Sequence, residues 1–445
     1  MNMPPMTFDA IPDSLRALVS EHRDRLGDLE WIAAIRDLWS RVRFVVPKRP
    51  DEDSDLGRAL TAFAEEASQR LDRHGYPTGQ AILYADEMAI DFNPEQFPGI
   101  TLDWDEPRLF LIDRQVSGLS WGTVNRDPDD TSPDFVPPRR IAFYSIKGGV
   151  GRSTSAAVAA WHLAREGKNV LVVDLDLEAP GLSSSLFPPA NQPPFGIVDW
   201  FVEDAVGQGD TVLPDISARS PLATNLPGYI RVVPCHGANP TQYLPKLGRC
   251  YLDLQRDGKL ESWERRLGRF IEALEAVHKP DLVLLDARAG LSDLASAVVT
   301  DLQAEVFLFA IGTTQTWSAY RLLFEEWRGT RAILDLREQL HLVAALVPET
   351  DRESYLTQFR QEAWDLFRDH AYDNVEPDAP ADADLFTFDL DAVDGPHSPI
   401  PVYWNRGIAA LSNLSELDPQ LVAASYSTFL SSLDRCVEAM LGASK

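Results

Sequence analysis

The sequence predicts an α/β protein: a mostly parallel, doubly wound sheet preceded by a small α+β domain. Three observations carry this. Residues 141–154 read IAFYSIKGGVGRST, an apolar strand running into a glycine-rich turn and then small helix-forming residues. From there onward short apolar runs alternate with helical patterns, as a parallel sheet with helices on both faces requires. Residues 125–140, NRDPDDTSPDFVPPRR, are dense in proline and aspartate and read as a linker. The chain of 445 residues is long enough for two or three domains, and the expected division is 1–137 and 138–445.

In the first domain, apolar periodicity predicts helices over 14–26, 29–39 and 56–71 and strands over 42–46, 80–84 and 109–112. No catalytic constellation is visible there. His22 and His74 stand alone, and Trp31, Trp39, Trp104 and Trp121 read as core or interface aromatics. In the second domain, strands are expected over 141–146, 170–174, 230–234, 281–286, 306–311, 341–347 and 400–403. A helix over 261–278 carries Trp263, Leu267, Phe270, Ile271, Leu274 and Val277 on one stripe, suited to packing on the sheet. Two insertions interrupt the alternation. Residues 187–228 are proline-rich around a short helix near 195–206. Residues 371–400 hold eight acidic residues and no lysine or arginine, the composition of a solvated loop.

The glycine-rich turn has the layout of a phosphate-binding loop. Gly148, Gly149 and Gly151 lack side chains, so successive backbone N–H groups can curl around phosphate oxygens. The helix that starts near Ser153 points its positive end at the same anion, and Gly167 ends it. Next comes VLVVDLDL, residues 170–177, a strand that delivers Asp174 and Asp176. One β-α-β unit thus brings a phosphate cradle and an acidic pair to the same sheet edge.

KGGVGRST resembles the deviant Walker A motif, K-G-G-x-G-K-[ST], of the MinD/ParA family of P-loop ATPases. VLVVDLDLEAPGL is similar to that family's switch I. DLVLLDARAGLSD, residues 281–293, is similar to the signature after its Walker B strand. The likeness runs from about residue 140 to 312, is fainter beyond, and is absent before 137. It implies that Lys147, Gly148, Gly149, Val150, Gly151, Arg152, Ser153 and Thr154 bind the triphosphate of ATP. Ser153 would then sit on Mg²⁺, with Asp286 and Asp174 completing the metal's surroundings. Asp176 would orient the attacking water, and Gly290 would offer its N–H to the γ-phosphate. Lys147 would reach the partner's phosphates in a nucleotide-sandwich homodimer. The adenine pocket is expected from 347–350 and the 399–404 turn.

Two departures from the pattern matter. Arg152 stands where the loop lysine is usual; it keeps the charge but is planar and bulkier, which puts turnover in doubt. Arg288 stands where the family has proline, either as a cation near the γ-phosphate or paired with a carboxylate such as Glu178.

Composition narrows the function. No apolar run approaches the ~18 residues of a membrane span, the N-terminus lacks a secretory pattern, and three scattered cysteines make no disulfide or zinc framework. A cytoplasmic protein is expected. A net charge of −27 opposes non-specific DNA binding; Arg41, Arg43, Lys48 and Arg49 are the densest basic group. Residues 420–441 form a helical stripe through Leu421, Phe429, Leu433, Val437 and Leu441. With Asp434 and Glu438 among few cations it reads as core-packing, with no pull toward anionic lipid.

The leading expectation is an ATP-dependent dimerising switch with slow magnesium-dependent hydrolysis, relaying its state to a protein partner through the first domain. The alternative is a non-hydrolysing, nucleotide-bound scaffold. A tyrosine autokinase would want arginine where Glu178 stands and a tyrosine-rich tail, and Tyr426 is the only tyrosine after Tyr403. Reductase-type electron transfer would need paired cysteines in the switch loops, where Cys235 and Cys250 do not lie.

Overall fold

A computed structural model describes residues 6–97, 99–114, 119–124, 138–256, 258–374, 385–409 and 417–442. The chain divides into two compact units, Met1–Thr123 and Val124–Lys445. The expected boundary at 137/138 adjoins residues 125–137, which lie outside the described residues, as do 375–384 of the acidic insertion.

The first unit is a mixed sheet of five strands in the order β3-β2-β1-β5-β4. The strands are β1 Trp31–Arg36, β2 Val42–Val46, β3 Ile82–Tyr84, β4 Ile100–Asp103 and β5 Arg108–Asp113. Helices Ile11–Leu26 and Asp55–Arg70 share one core with Ile32, Ala34, Phe44, Leu109 and Leu111. The alternate residues Trp31, Ala33, Val45, Phe110 and Ile112 face a smaller cluster with Phe92. The expected helix over 29–39 is therefore wrong: its centre is the middle strand of the sheet. WIAAIR is a short apolar run with no polar face, and pairing with β2 and β5 on its two edges overrides the helix preference of its alanines. Strand β4 was not anticipated.

In the second unit eight strands form a sheet in the order β15-β14-β13-β6-β12-β7-β9-β8. Six of them follow the expected runs closely: β6 Arg140–Ser145, β7 Val170–Leu175, β9 Ile230–Val233, β12 Leu282–Ala287, β13 Glu305–Ala310 and β14 Leu340–Val347. β15 is Ile400–Tyr403, and the short β8, Ala218–Arg219, is the antiparallel edge. A separate hairpin pairs β10 Leu254–Arg256 with β11 Lys259–Glu261. Neither β8 nor the hairpin has a sequence signal, since each pairs only two or three residues. The other sheet pairings are parallel, so the strands' C-terminal ends share one edge.

Both faces of this sheet are covered. Ile141, Phe143, Val170, Val172, Leu282 and Leu284 pack with the helices Arg152–Arg165 and Pro419–Gly442, while the alternate Ala142, Tyr144, Leu171, Val173, Val283 and Leu285 are equally buried. Near-continuous apolar runs are what such doubly covered strands need. The C-terminal helix buries Phe429, Leu433 and Val437 of the expected stripe; Leu421 and Leu441 are half-buried, and Val422 and Tyr426 are buried in addition. Helix Trp263–His278 buries the expected stripe except for Val277, which is exposed. Among the described residues no helix is long and apolar enough to cross a membrane.

The insertion after β7 is anchored by charge. Asp204, at the end of helix Ile197–Ala205, accepts from Arg266 at 3.0 Å, Arg269 at 2.9 Å and Arg256 at 2.9 Å. Arg266 is fully buried and also donates to the carbonyls of Phe201 and Leu252. Burial alone would raise the Asp204 pKa, but the three guanidinium groups outweigh it and hold the pKa below the ordinary carboxylate value. Its stabilising effect is therefore full at neutral pH and is lost as pH falls through that lowered value. Asp204→Ala leaves a buried cation unpaired. We expect a loss of about 3 kcal/mol or more, read as a fall in the urea midpoint at pH 7; an unchanged midpoint would show that water compensates Arg266.

Candidate functional site

Strands β6, β12 and β7 lie side by side and in register, with Asp286 opposite Asp174 across β12 and β7. Parallel pairing therefore sets the carboxylates of two distant motifs beside the turn that follows β6. In that turn Gly149 (φ +75°) and Gly151 (φ +81°) take the left-handed backbone conformation that side chains strain. A Cβ at Gly148 or Gly149 would meet nothing within 4 Å, so open space lies beside the loop backbone. Gly151 caps the helix Arg152–Arg165, and Val150 is buried in the core and pins the loop. Lys147 is exposed and makes no ion pair or hydrogen bond among the described residues.

Arg152, by contrast, is buried and turned back across the strand ends. Its Nε donates to Asp286 Oδ1 at 2.7 Å and its Nη2 to Asp176 Oδ2 at 3.1 Å, with Ser153 Oγ at 3.5 Å from the same Nη2. Burial opposes its charge, but the Asp286 and Asp176 carboxylates outweigh that and raise its pKa above the ordinary value. Burial pushes the pKa of Asp286 up to about 6; Arg152 opposes the rise and Asp174 adds to it. The second oxygens, Asp176 Oδ1 and Asp286 Oδ2, are buried and have no hydrogen-bond partner among the described residues.

These groups border a cavity of about 530 Å³, within the ~300–1,000 Å³ of small-ligand sites. Gly149, Gly151, Ser153, Thr154, Asp176 and Asp286 line its polar end. Apolar and aromatic side chains, among them Leu346, Val402, Tyr403, Trp404, Ile408 and Tyr426, line the cavity as well. Tyr403 and Trp404 fall in the turn expected to hold a base; 347–350 does not reach the cavity, and Leu346, one residue earlier, does. Leu182, Ser185 and Tyr426 also line the cavity; Tyr426 escaped sequence reasoning because it lies on the buried face of its helix, which packing alone explains.

Three further predicted residues are placed as follows. Asp174, expected in the metal's outer surroundings, does not line the cavity: its Oδ2 accepts from the Ser183 N–H at 3.0 Å, which holds the turn after β7, and burial raises its pKa. The Gly290 N–H is engaged, donating to the Ser145 carbonyl at 3.0 Å, and is not available to a γ-phosphate in this arrangement. Arg288 pairs with Glu178 at 2.9 Å, the second of its two readings.

The resemblance implies a Mg²⁺ ion, and the groups here fit one in part, because the Arg152 guanidinium already holds one oxygen of each carboxylate. Two unpartnered buried carboxylate oxygens and the Ser153 hydroxyl are hard oxygen donors of the kind that ion takes.

Comparison with known proteins agrees with this loop. Residues 138–186 match the family model described as AAA domain. A 38-residue stretch is 60% identical to the chromosome-partitioning ATPase Soj of Thermus thermophilus, covering 8% of this chain and 15% of that protein. The chain thus spans a small part of that relative's length. Among solved structures, similarity extends to a ParA family ATPase of Chlorobium tepidum (16% identity, TM-score 0.40, 68% of this chain and 98% of that one). It also extends to the septum site-determining protein MinD of Pyrococcus horikoshii complexed with Mg-ADP (22%, 0.33, 48% and 72%). A third is pNOB8 ParA bound to nonspecific DNA (16%, 0.37, 69% and 100%).

The left-handed backbone at Gly151 gives a direct test of the loop. Gly151→Val places a β-branched residue where φ is +81°, a strain of roughly 1–2 kcal/mol that the loop relieves by moving. Affinity for an ATP analogue, measured by titration calorimetry, should fall by about tenfold or more, and Ser153→Ala should weaken it as well. Unchanged affinity in both variants would remove the loop from the binding site.

Proposed function

We propose that this chain, whose second unit is a P-loop ATPase of the MinD/ParA type, is a nucleotide-dependent dimerising switch with slow ATP hydrolysis. The observation that carries it is convergence: the left-handed glycines, Ser153, Asp176 and Asp286 border one cavity with an apolar, aromatic far end. In this reading the loop N–H groups and the helix N-terminus hold the β- and γ-phosphates. Tyr403 and Trp404 flank the base. Ser153 and Asp286 would hold Mg²⁺, which when bound neutralises phosphate charge. Asp176, which lines the cavity, would orient a water there by accepting a hydrogen bond from it.

A second reading is favoured by Arg152 itself. Its guanidinium holds one oxygen of each carboxylate, so the chain could keep its nucleotide and serve as a scaffold without turnover. Phosphate release from the wild type and Arg152→Lys separates the two. As a switch, the wild type should release phosphate slowly and Arg152→Lys faster. No release from the wild type beside clear release from the variant would establish the scaffold.

Lys147 supports the dimer. An exposed cation with no partner of its own is free to reach phosphate on a second copy, gaining a charge-assisted bond that exists in the dimer alone. Sedimentation with ATP should show a dimer, absent with ADP and lost in Lys147→Ala. A monomer in all nucleotide states, or a dimer indifferent to Lys147→Ala, would leave the sandwich arrangement without support. The first unit is the natural place for a protein partner, since Trp39 and Trp104 are exposed on it.

Direct DNA binding is not part of this reading. The net charge is −27, and three of the four cations in the densest basic group have partners within the first unit. Arg49 pairs with Glu87 at 2.9 Å, while Arg41 and Arg43 lie over the Tyr76 ring. At ~0.15 M salt no gel shift of random duplex DNA is expected at micromolar protein, with or without ATP. Tight ATP-dependent binding that survives such salt would move the function toward DNA partition.

A further inference from the structure

We propose that Arg152 is a built-in cation that takes the place of a divalent metal ion in this site, so that a nucleoside triphosphate binds with little need of Mg²⁺. The proposal rests on the nucleotide-binding reading above. Its basis is position. One planar guanidinium, buried beneath the loop, lies against the three groups a metal would use: 2.7 Å from Asp286 Oδ1, 3.1 Å from Asp176 Oδ2 and 3.5 Å from Ser153 Oγ.

The chemistry of arginine makes this possible where lysine would not. Its donors point outward from a rigid, permanently charged plane, so one side chain can serve two carboxylates along separate edges. A lysine ammonium is a compact point charge on a flexible stem and cannot span both in a fixed geometry. Nε and Nη2 are used in this way, and Nη1 makes no hydrogen bond among the described residues, which leaves it for a phosphate oxygen.

Charge balance points the same way. Asp176 and Asp286 present negative charge to a cavity meant for a polyanion, so some cation must stand between them and the phosphates. Arg152 already does. A Mg²⁺ ion demands near-octahedral oxygen ligands at about 2.0–2.1 Å. Here it would find one oxygen of each carboxylate committed to an N–H and a like charge beside it. Mg²⁺ can hold the remaining oxygens, Asp176 Oδ1 and Asp286 Oδ2, more firmly once the guanidinium withdraws.

The test is titration calorimetry of the non-hydrolysable analogue AMP-PNP into the full chain, with excess Mg²⁺ and with EDTA, for wild type and Arg152→Lys. Expected is a wild-type Kd that rises less than about threefold without Mg²⁺, and an Arg152→Lys Kd that rises by about tenfold or more. A larger wild-type rise overturns the proposal and leaves nucleotide binding standing. An Arg152→Lys protein as indifferent to Mg²⁺ as the wild type overturns the role given to Arg152. Absence of wild-type binding in both buffers overturns this proposal and the reading beneath it. The wild-type comparison alone decides the matter if the variant fails to fold.

Discussion

The site depends on the parallel register of β6, β12 and β7. Asp286 lies opposite Phe143 on one side and Asp174 on the other, so two motifs more than a hundred positions apart in sequence end at the same depth of the sheet. A slip of one residue would turn Asp286 to the opposite face and into the apolar layer there. That slip is resisted because both faces of these strands are buried against helices. The apolar core therefore does more than stabilise the unit. It sets where the charges stand.

This explains what could be read in the sequence. Strands covered on both faces must be apolar throughout, so β6, β7, β12 and β13 are legible as runs, and the acidic residues that end them are legible as exceptions. The same rule misleads for β1, where WIAAIR has the composition of a buried helix as readily as of a buried strand. Only its neighbours in the sheet decide. Tyr426 and Leu346 were illegible for a related reason: a residue can pack in the core along most of its length and line a cavity with its end. No period in the sequence separates those two uses. The division of labour between Asp174 and Asp176 was also hidden, because it turns on which carboxylate the backbone of the following turn claims, and Ser183 claims Asp174.

Burying Arg152 is costly in isolation, since a guanidinium leaves water to reach its place beneath the loop. Two carboxylates on one cation offset that, and neither is dispensable: removing one leaves the other to share a charge designed for both. Burial raises the pKa of Asp286 and Arg152 opposes the rise. Such a triad is poorly suited to adding bulk stability, and well suited to fixing one geometry.

That geometry also joins the loops around it. The turn after β12 is tied to β6 by the Gly290–Ser145 hydrogen bond and to the turn after β7 by the Arg288–Glu178 pair, where Tyr251 also donates to Glu178. Arg152 makes a further tie, from the loop after β6 to both carboxylates. The three loops that a nucleotide would touch are thus bonded to one another before any ligand arrives. A group that draws the Arg152 guanidinium toward itself frees Asp176 and Asp286 together. The turns that follow β7 and β12 are then joined by the Arg288–Glu178 pair and by the sheet pairing of the two strands. A change of charge at one point of the cavity is in this way felt at two surface loops, which is the physical requirement for a switch.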